Sequence, residues 1–166
     1  MKKFFSKKNI VWIVSLFLIV ICVISLLLNN KWSKETVLLY DNSAISYEPK
    51  NESTAAVKED QIVLPGLKEV MVNQGASEVI LPLYNIKSND VDLVFEVKLE
   101  EQDKVLRTTQ RVAPGKAVLM VPLPPNLATG VYHLKIMTTV YKKGRDSKLN
   151  SGVVMTKLIV HSNNNL

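Results

Sequence analysis

The chain has 166 residues, a formal net charge of +6, two histidines and one cysteine. Four lysines stand before the first apolar segment, so the rest of the chain carries only a small positive charge. That balance excludes the strongly basic surface of a nucleic-acid-binding domain. Because no cysteine lies beyond the apolar segment, a disulfide framework is excluded as well, which favours a bacterial envelope over a secreted eukaryotic domain.

The first predicted element is an apolar helix from Ile10 to Leu28, IVWIVSLFLIVICVISLLL. It contains no charged residue, and at about 1.5 Å per residue it is long enough for the ~30 Å core of a bilayer. The flanking lysines predict a cytoplasmic N-terminus and a C-terminal domain outside the cell membrane. No small-x-small cleavage site follows, so the segment is interpreted as an uncleaved signal anchor of a single-pass protein. Cys22 is interpreted as a small apolar residue of this helix.

The composition divides the chain into five regions. Residues 1–9 form a basic cytoplasmic tail, 10–28 the membrane helix, 29–60 a polar connector, 61–161 a β domain and 162–166 a disordered tail. The second half of the connector has few large apolar residues and is predicted to be mobile. Its first half contains TVLLY, which could form a short strand or rest on the membrane surface, and the sequence leaves both open.

In the β domain, apolar and polar residues alternate. The stretch VDLVFEVKLE has apolar residues at the odd positions from Val91 to Leu99, which is typical of a strand with one buried face. Turn signals recur at short intervals, and about seven strands are predicted. This pattern indicates an all-β fold, an immunoglobulin-like antiparallel β-sandwich, with a barrel as the alternative closure. The polar alternate faces exclude a parallel α/β sheet.

Three stretches, LPLYNIKSNDVDLVFEVKL, APGK and LATGVYHLKI, resemble recurring units of bacterial immunoglobulin-like domains. With VLPG before them and LNSGVV after them, the pattern resembles short single-pass exported surface proteins of Gram-positive bacteria, which mostly have no assigned function. The resemblance covers residues 61–161. It implies a surface-facing accessory or binding module, and it brings no catalytic residues with it.

The sequence shows no arrangement typical of an enzyme. The two histidines have no further metal-ligating residues at a suitable spacing, and no Gly-x-Ser-x-Gly elbow occurs. The alternating carboxylates are interpreted as the solvent face of a strand and not as a glycosidase pair. These are Asp90, Asp92, Glu96 and Glu100. We therefore predict no catalytic, cofactor-binding or metal-binding residues.

The pair Tyr132–His133 is interpreted as the start of a strand, because adjacent strand residues point to opposite faces. Tyr132 is expected to be buried beside Leu134, with its hydroxyl bonded to the backbone near Leu127 or Asn126. Such an arrangement is a tyrosine corner, and Gly130 lets the chain turn before it. His133 is expected to face solvent.

Two surface features have functional interpretations. Four cations crowd the turn between the last two strands, either as a solvated hairpin tip or as a contact for an anionic polymer, lipid headgroup or acidic partner. They are Lys142, Lys143, Arg145 and Lys148. The last strand, SGVVMTKLIV, is apolar on both faces, so it is either covered on both sides or able to pair with a neighbouring strand.

The sequence therefore predicts a non-catalytic, membrane-anchored extracytoplasmic module that binds another protein or assists assembly in a bacterial envelope. The alternative is a cell-wall or carbohydrate-binding module, and an envelope hydrolase ranks third. Carbohydrate sites present exposed aromatic rings, and this domain has few. They are Tyr84, Phe95, Tyr132 and Tyr141. The expected partners are the membrane, an envelope protein and a wall polymer, with no nucleic acid and no cofactor.

Overall fold

A computed structural model describes residues 7–31, 37–49, 62 and 64–162 of the chain. The chain divides into two compact units, Met1–Val37 and Leu38–Leu166. Residues 32–36 and 50–60 of the predicted connector lie outside the described residues, as do residues 1–6 and 163–166 of the two predicted tails.

The first unit contains one helix, α1, at Lys7–Lys31. Among the described residues, no helix combines the length and the apolar character that crossing a membrane requires. This finding contradicts the predicted span at Ile10–Leu28, and with it the signal anchor and the single-pass localisation.

Eight strands and one 3-10 turn make up the described part of the second unit. The 3-10 turn is Glu100–Gln102. The strands are β1 Ile45–Ser46, β2 Val70–Asn73, β3 Glu78–Asn85, β4 Val91–Leu99, β5 Lys104–Thr108, β6 Lys116–Pro122, β7 Gly130–Lys142 and β8 Lys148–His161.

The eight strands form two sheets. One sheet has three strands in the order β1-β6-β3, and the other has five in the order β2-β8-β7-β4-β5. Neighbours are antiparallel except β2 and β8, which run parallel. The described residues are therefore mostly β, arranged in two sheets, and the predicted immunoglobulin-like arrangement of about seven antiparallel strands is wrong. Two parallel strands cannot be joined by a tight hairpin, so no local turn sequence predicts the pairing of β2 with β8.

One hydrophobic core is shared by both sheets. The three-stranded sheet contributes Leu81 and Val121, and the five-stranded sheet contributes Phe95, Leu134 and Leu158. The alternation read in β4 is confirmed, since the odd positions from Val91 to Leu99 are all buried.

The TVLLY stretch, left open by the sequence, lies partly in the second unit. Tyr40 forms a parallel bridge with Arg111, because the Arg111 N–H donates to the Leu39 carbonyl and the Asp41 N–H donates to the Arg111 carbonyl. This short pairing brings the connector to one end of β4.

Candidate functional site

The most strongly buried group of charges surrounds Arg111. Its Nη2 donates to Asp146 Oδ1 at 2.8 Å, and its Nη1 donates to the Arg145 carbonyl at 3.0 Å. Nη1 also lies 3.8 Å from Oδ2 of Asp92, and the guanidinium carbon stands 4.1 Å from the centre of the Tyr141 ring. Because Asp92 is fully buried, this arginine is the charge that compensates it.

Asp92 also receives two hydrogen bonds. The Tyr40 hydroxyl and the Gly144 N–H both donate to its Oδ2, at 3.0 and 3.2 Å. Burial, together with the hydrogen bond and the charge of Asp92, raises the pKa of Tyr40. Through Asp92 and Arg111, the cluster ties the connector, β4 and the β7–β8 hairpin together, so we interpret it as a structural clamp.

Sequence reasoning missed this clamp. It treated Asp92 as part of a solvent face, and that interpretation is wrong, since the side chain has no exposed surface. The partners lie far apart along the chain: Tyr40 is 52 residues from Asp92, and Asp146 is 35 residues from Arg111. Nothing local in the sequence marks such a pairing.

The four cations lie at the tip of the β7–β8 hairpin, and all are exposed. Lys143 Nζ lies 3.3 Å from Oδ1 of Asp90. Among the described residues, Lys142, Arg145 and Lys148 form no ion pair within 4 Å. The clamp holds the backbone of this tip, because the Arg145 carbonyl accepts from Arg111 and the Gly144 N–H donates to Asp92. We call these four residues the cationic tip.

The Tyr132 hydroxyl donates to the Ala128 carbonyl at 3.0 Å, four residues upstream. The acceptor is thus Ala128 and not Leu127 or Asn126. Tyr132 is half-buried against the core, Leu127 is buried, and Gly130 begins β7 with a φ of +153° that other residues rarely adopt.

Replacing Tyr132 with phenylalanine is expected to lower the free energy of unfolding by about 1 kcal/mol, because one intramolecular hydrogen bond is lost while the ring packing is kept. Thermal unfolding of the two proteins measures the difference. An unchanged melting temperature would show that the bond to Ala128 contributes nothing.

His133 faces solvent and pairs with Glu101. Oε1 of Glu101 lies 2.7 Å from Nδ1 of His133 and accepts the His133 N–H at 2.8 Å. Desolvation acts to raise the pKa of Glu101, but the hydrogen bonds from His133 outweigh it and lower this pKa. Within the described residues, no group of three or more His, Cys, Asp or Glu side chains is placed to hold a metal ion.

The four aromatic residues considered for carbohydrate binding do not form an exposed platform. Phe95 and Tyr84 are buried, while Tyr132 and Tyr141 are half-buried. The Tyr132 ring packs against the core, and the Tyr141 ring lies under Arg111. Their faces are therefore largely committed to contacts within the domain.

An apolar surface lies on the outer side of the five-stranded sheet. Buried and exposed residues alternate along β7 and β8, so the odd-numbered residues of both strands point away from the core. Met137 pairs with Val153, and Val131 pairs with Ile159, which in turn pairs with Met71. The exposed members are Met71 (60%), Val131 (56%), Val153 (54%), Met155 (49%) and Met137 (38%). We call these five residues the outer patch.

Charged side chains of both signs border the outer patch. Lys135 lies opposite Met155, and Lys157 follows Met155 on the same face of β8. Glu96 lies opposite Met137, and Glu101 accepts the N–H of His133, the register partner of Lys157. Large exposed apolar patches with a polar rim are typical of binding surfaces, so the outer patch is the candidate site of this domain.

No family model matches the chain, and no curated protein matches it. The resemblance to exported Gram-positive surface proteins therefore stays a prediction.

Proposed function

We propose that this chain is a non-catalytic module that binds another protein through the outer patch. The observation that supports the proposal is the row of half-exposed methionine and valine side chains on β7 and β8, with Met137 directly opposite Val153. Methionine adapts its shape to a partner, and burial of such side chains is the main source of binding energy at protein interfaces.

The charges around the patch favour a partner with acidic groups. Lys135 and Lys157 border Met155, and neither has a carboxylate oxygen of a described residue within 4 Å of its Nζ. A different protein with an apolar centre and acidic groups placed opposite these two lysines fits the patch.

Photo-crosslinking in cells that produce the full chain tests this proposal. A benzophenone amino acid at Val153 is expected to yield one discrete protein adduct. The same group at Ile80, which is 65% exposed on β3 of the other sheet, is the matched control and is expected to yield none.

A substitution within the outer patch tests whether the crosslinked adduct depends on the patch. Met137→Glu places a charge in the patch and is expected to reduce the Val153 adduct at least tenfold. Thr139→Glu lies on the same strand outside the patch and is expected to leave the adduct in place. Equal adducts from Val153 and Ile80, or an adduct that survives Met137→Glu, would overturn the proposal.

A further inference from the structure

Residues 38–47, which we call the clasp, connect the two sheets. At one end, the main chain of the clasp pairs with Arg111, whose neighbour Val112 bridges Leu93 of β4 in the five-stranded sheet. At the other end, β1 pairs with the first two residues of β6 in the three-stranded sheet. The clasp therefore closes the domain by holding both sheets at once.

Neighbouring side chains of the clasp attach to different strands. The Tyr40 hydroxyl donates to Oδ2 of Asp92 on β4 at 3.0 Å. Oδ1 of Asp41 lies 3.6 Å from Nη2 of Arg107 on β5, and the same Nη2 donates to the Ser43 hydroxyl at 2.8 Å. The clasp is thus attached largely through polar groups, which can exchange their partners for water.

The clasp contributes little to the hydrophobic core. None of its residues is buried, although Ala44 packs against the core and the Tyr47 ring centre lies 5.3 Å from that of Tyr84. Leu39 and Ile45 are 61% and 51% exposed. A segment with few buried apolar contacts opens locally at a lower free energy than the core, so the clasp can detach while the domain stays folded.

The groups beneath the clasp are charged. Within the described part of the chain, Oδ1 of Asp92 and Nε of Arg107 are buried without a hydrogen-bond partner. Such an atom costs free energy, because its bond to water has been lost and not replaced. Tyr40 and Ser43 of the clasp contact these two side chains, so detachment of the clasp would return water to both. This relief lowers the cost of the open state.

Asp92 and Arg111 connect the clasp to the cationic tip. Oδ2 of Asp92 accepts hydrogen bonds from the Tyr40 hydroxyl and from the Gly144 N–H, at 3.0 and 3.2 Å. Nη1 of Arg111 lies 3.8 Å from the same oxygen and donates to the Arg145 carbonyl at 3.0 Å, while the main chain of Arg111 pairs with the clasp. These two backbone attachments of the tip therefore depend on side chains that the clasp positions.

We propose that the clasp is a conformational switch that opens without unfolding the domain and thereby releases the backbone of the cationic tip. In the closed state, the Tyr40 hydroxyl holds Asp92 where it accepts the Gly144 N–H. In the open state, Asp92 is hydrated and Arg111 has lost its main-chain bonds to the clasp, so the tip loses the acceptor that orders it. The coupling is reciprocal: a ligand that fixes the tip also favours the closed clasp. The switch acts independently of the outer patch.

Amide hydrogen exchange of the full-length chain, followed residue by residue by NMR, tests this switch. Tyr40→Phe removes the hydroxyl that donates to Asp92, and it is expected to speed exchange of the Gly144 N–H by roughly fivefold or more. The matched control is Tyr132→Phe, which removes the tyrosine hydroxyl that bonds the Ala128 carbonyl. It is expected to leave exchange of Gly144 unchanged. An equal effect of both variants on Gly144, or no effect of Tyr40→Phe, would overturn the proposal.

A disulfide that locks the clasp provides the second measurement. Ser46 pairs with Lys116, and the Lys116 Nζ donates to the Ser46 hydroxyl, so Ser46→Cys combined with Lys116→Cys places two thiols across the pair. The variant also carries Cys22→Ser, because Cys22 is exposed. Relative to the reduced form of the same protein, the oxidised form is expected to exchange the Asp41 and Gly144 N–H groups more slowly, both by roughly fivefold or more. Slower exchange at Asp41 with no change at Gly144 would overturn the coupling, and unchanged exchange at both would show that the clasp does not open.

Discussion

Replacement of Asp92 with alanine is expected to lower the free energy of unfolding by about 3–5 kcal/mol. Asp92 is fully buried, and it accepts hydrogen bonds from the Tyr40 hydroxyl and the Gly144 N–H. Its loss leaves Arg111, which is itself buried, without the carboxylate that compensates its charge on this side. Urea unfolding followed by circular dichroism measures the change.

Asp90 provides the matched control, because it lies two residues earlier and its side chain is 90% exposed beside Lys143. Asp90→Ala is expected to cost less than about 1 kcal/mol, as is usual for a surface ion pair. A double-mutant cycle with Arg111→Met sharpens the result. Removal of both charges should cost less than the sum of the single changes, by about 0.5–3 kcal/mol. Strictly additive costs would show that Asp92 and Arg111 act independently.

The contrast between Asp90 and Asp92 shows why the fold was easier to predict than its polar interior. The alternation in β4 follows from a local rule, since side chains of a strand alternate between two faces, and it correctly placed Phe95 in the core. The same rule put Asp92 on the solvent face. It could not show that the connector and the β7–β8 hairpin cover that position, because burial there depends on residues far along the chain.

The strand order and the outer patch could not be predicted from the sequence for a related reason. Turn residues in the sequence indicate where hairpins form. The parallel pairing of β2 with β8 places Val70 beside Leu158, and no turn connects these two strands. The apolar residues on both faces of the last strand were visible in the sequence, and two interpretations stayed open. The register of Met137 opposite Val153, which creates the outer patch, required the positions of both strands.

Asn85 is the second position where a large effect is expected, because its buried side-chain amide takes part in three hydrogen bonds. Its Nδ2 donates to the carbonyls of Val91 and Val112 at 2.8 and 2.9 Å, and its Oδ1 accepts from Asn89 at 2.9 Å. The side chain is buried at the end of β3, where the chain turns into β4. It therefore fastens that turn to the start of β4 and to the segment that carries Arg111.

Asn85→Leu is expected to lower the free energy of unfolding by about 2–4 kcal/mol, since three hydrogen bonds are lost in the interior. The diagnostic variant is Asn85→Asp, which keeps the shape of the side chain but cannot donate to two carbonyls when ionised. At neutral pH it should cost at least as much as leucine. Asn150→Ala, at an exposed position whose Oδ1 accepts the Ser151 N–H, is the control and should change stability little. If Asn85→Asp is tolerated to within about 1 kcal/mol, Asn85 acts through packing and its two donor bonds do not hold the turn.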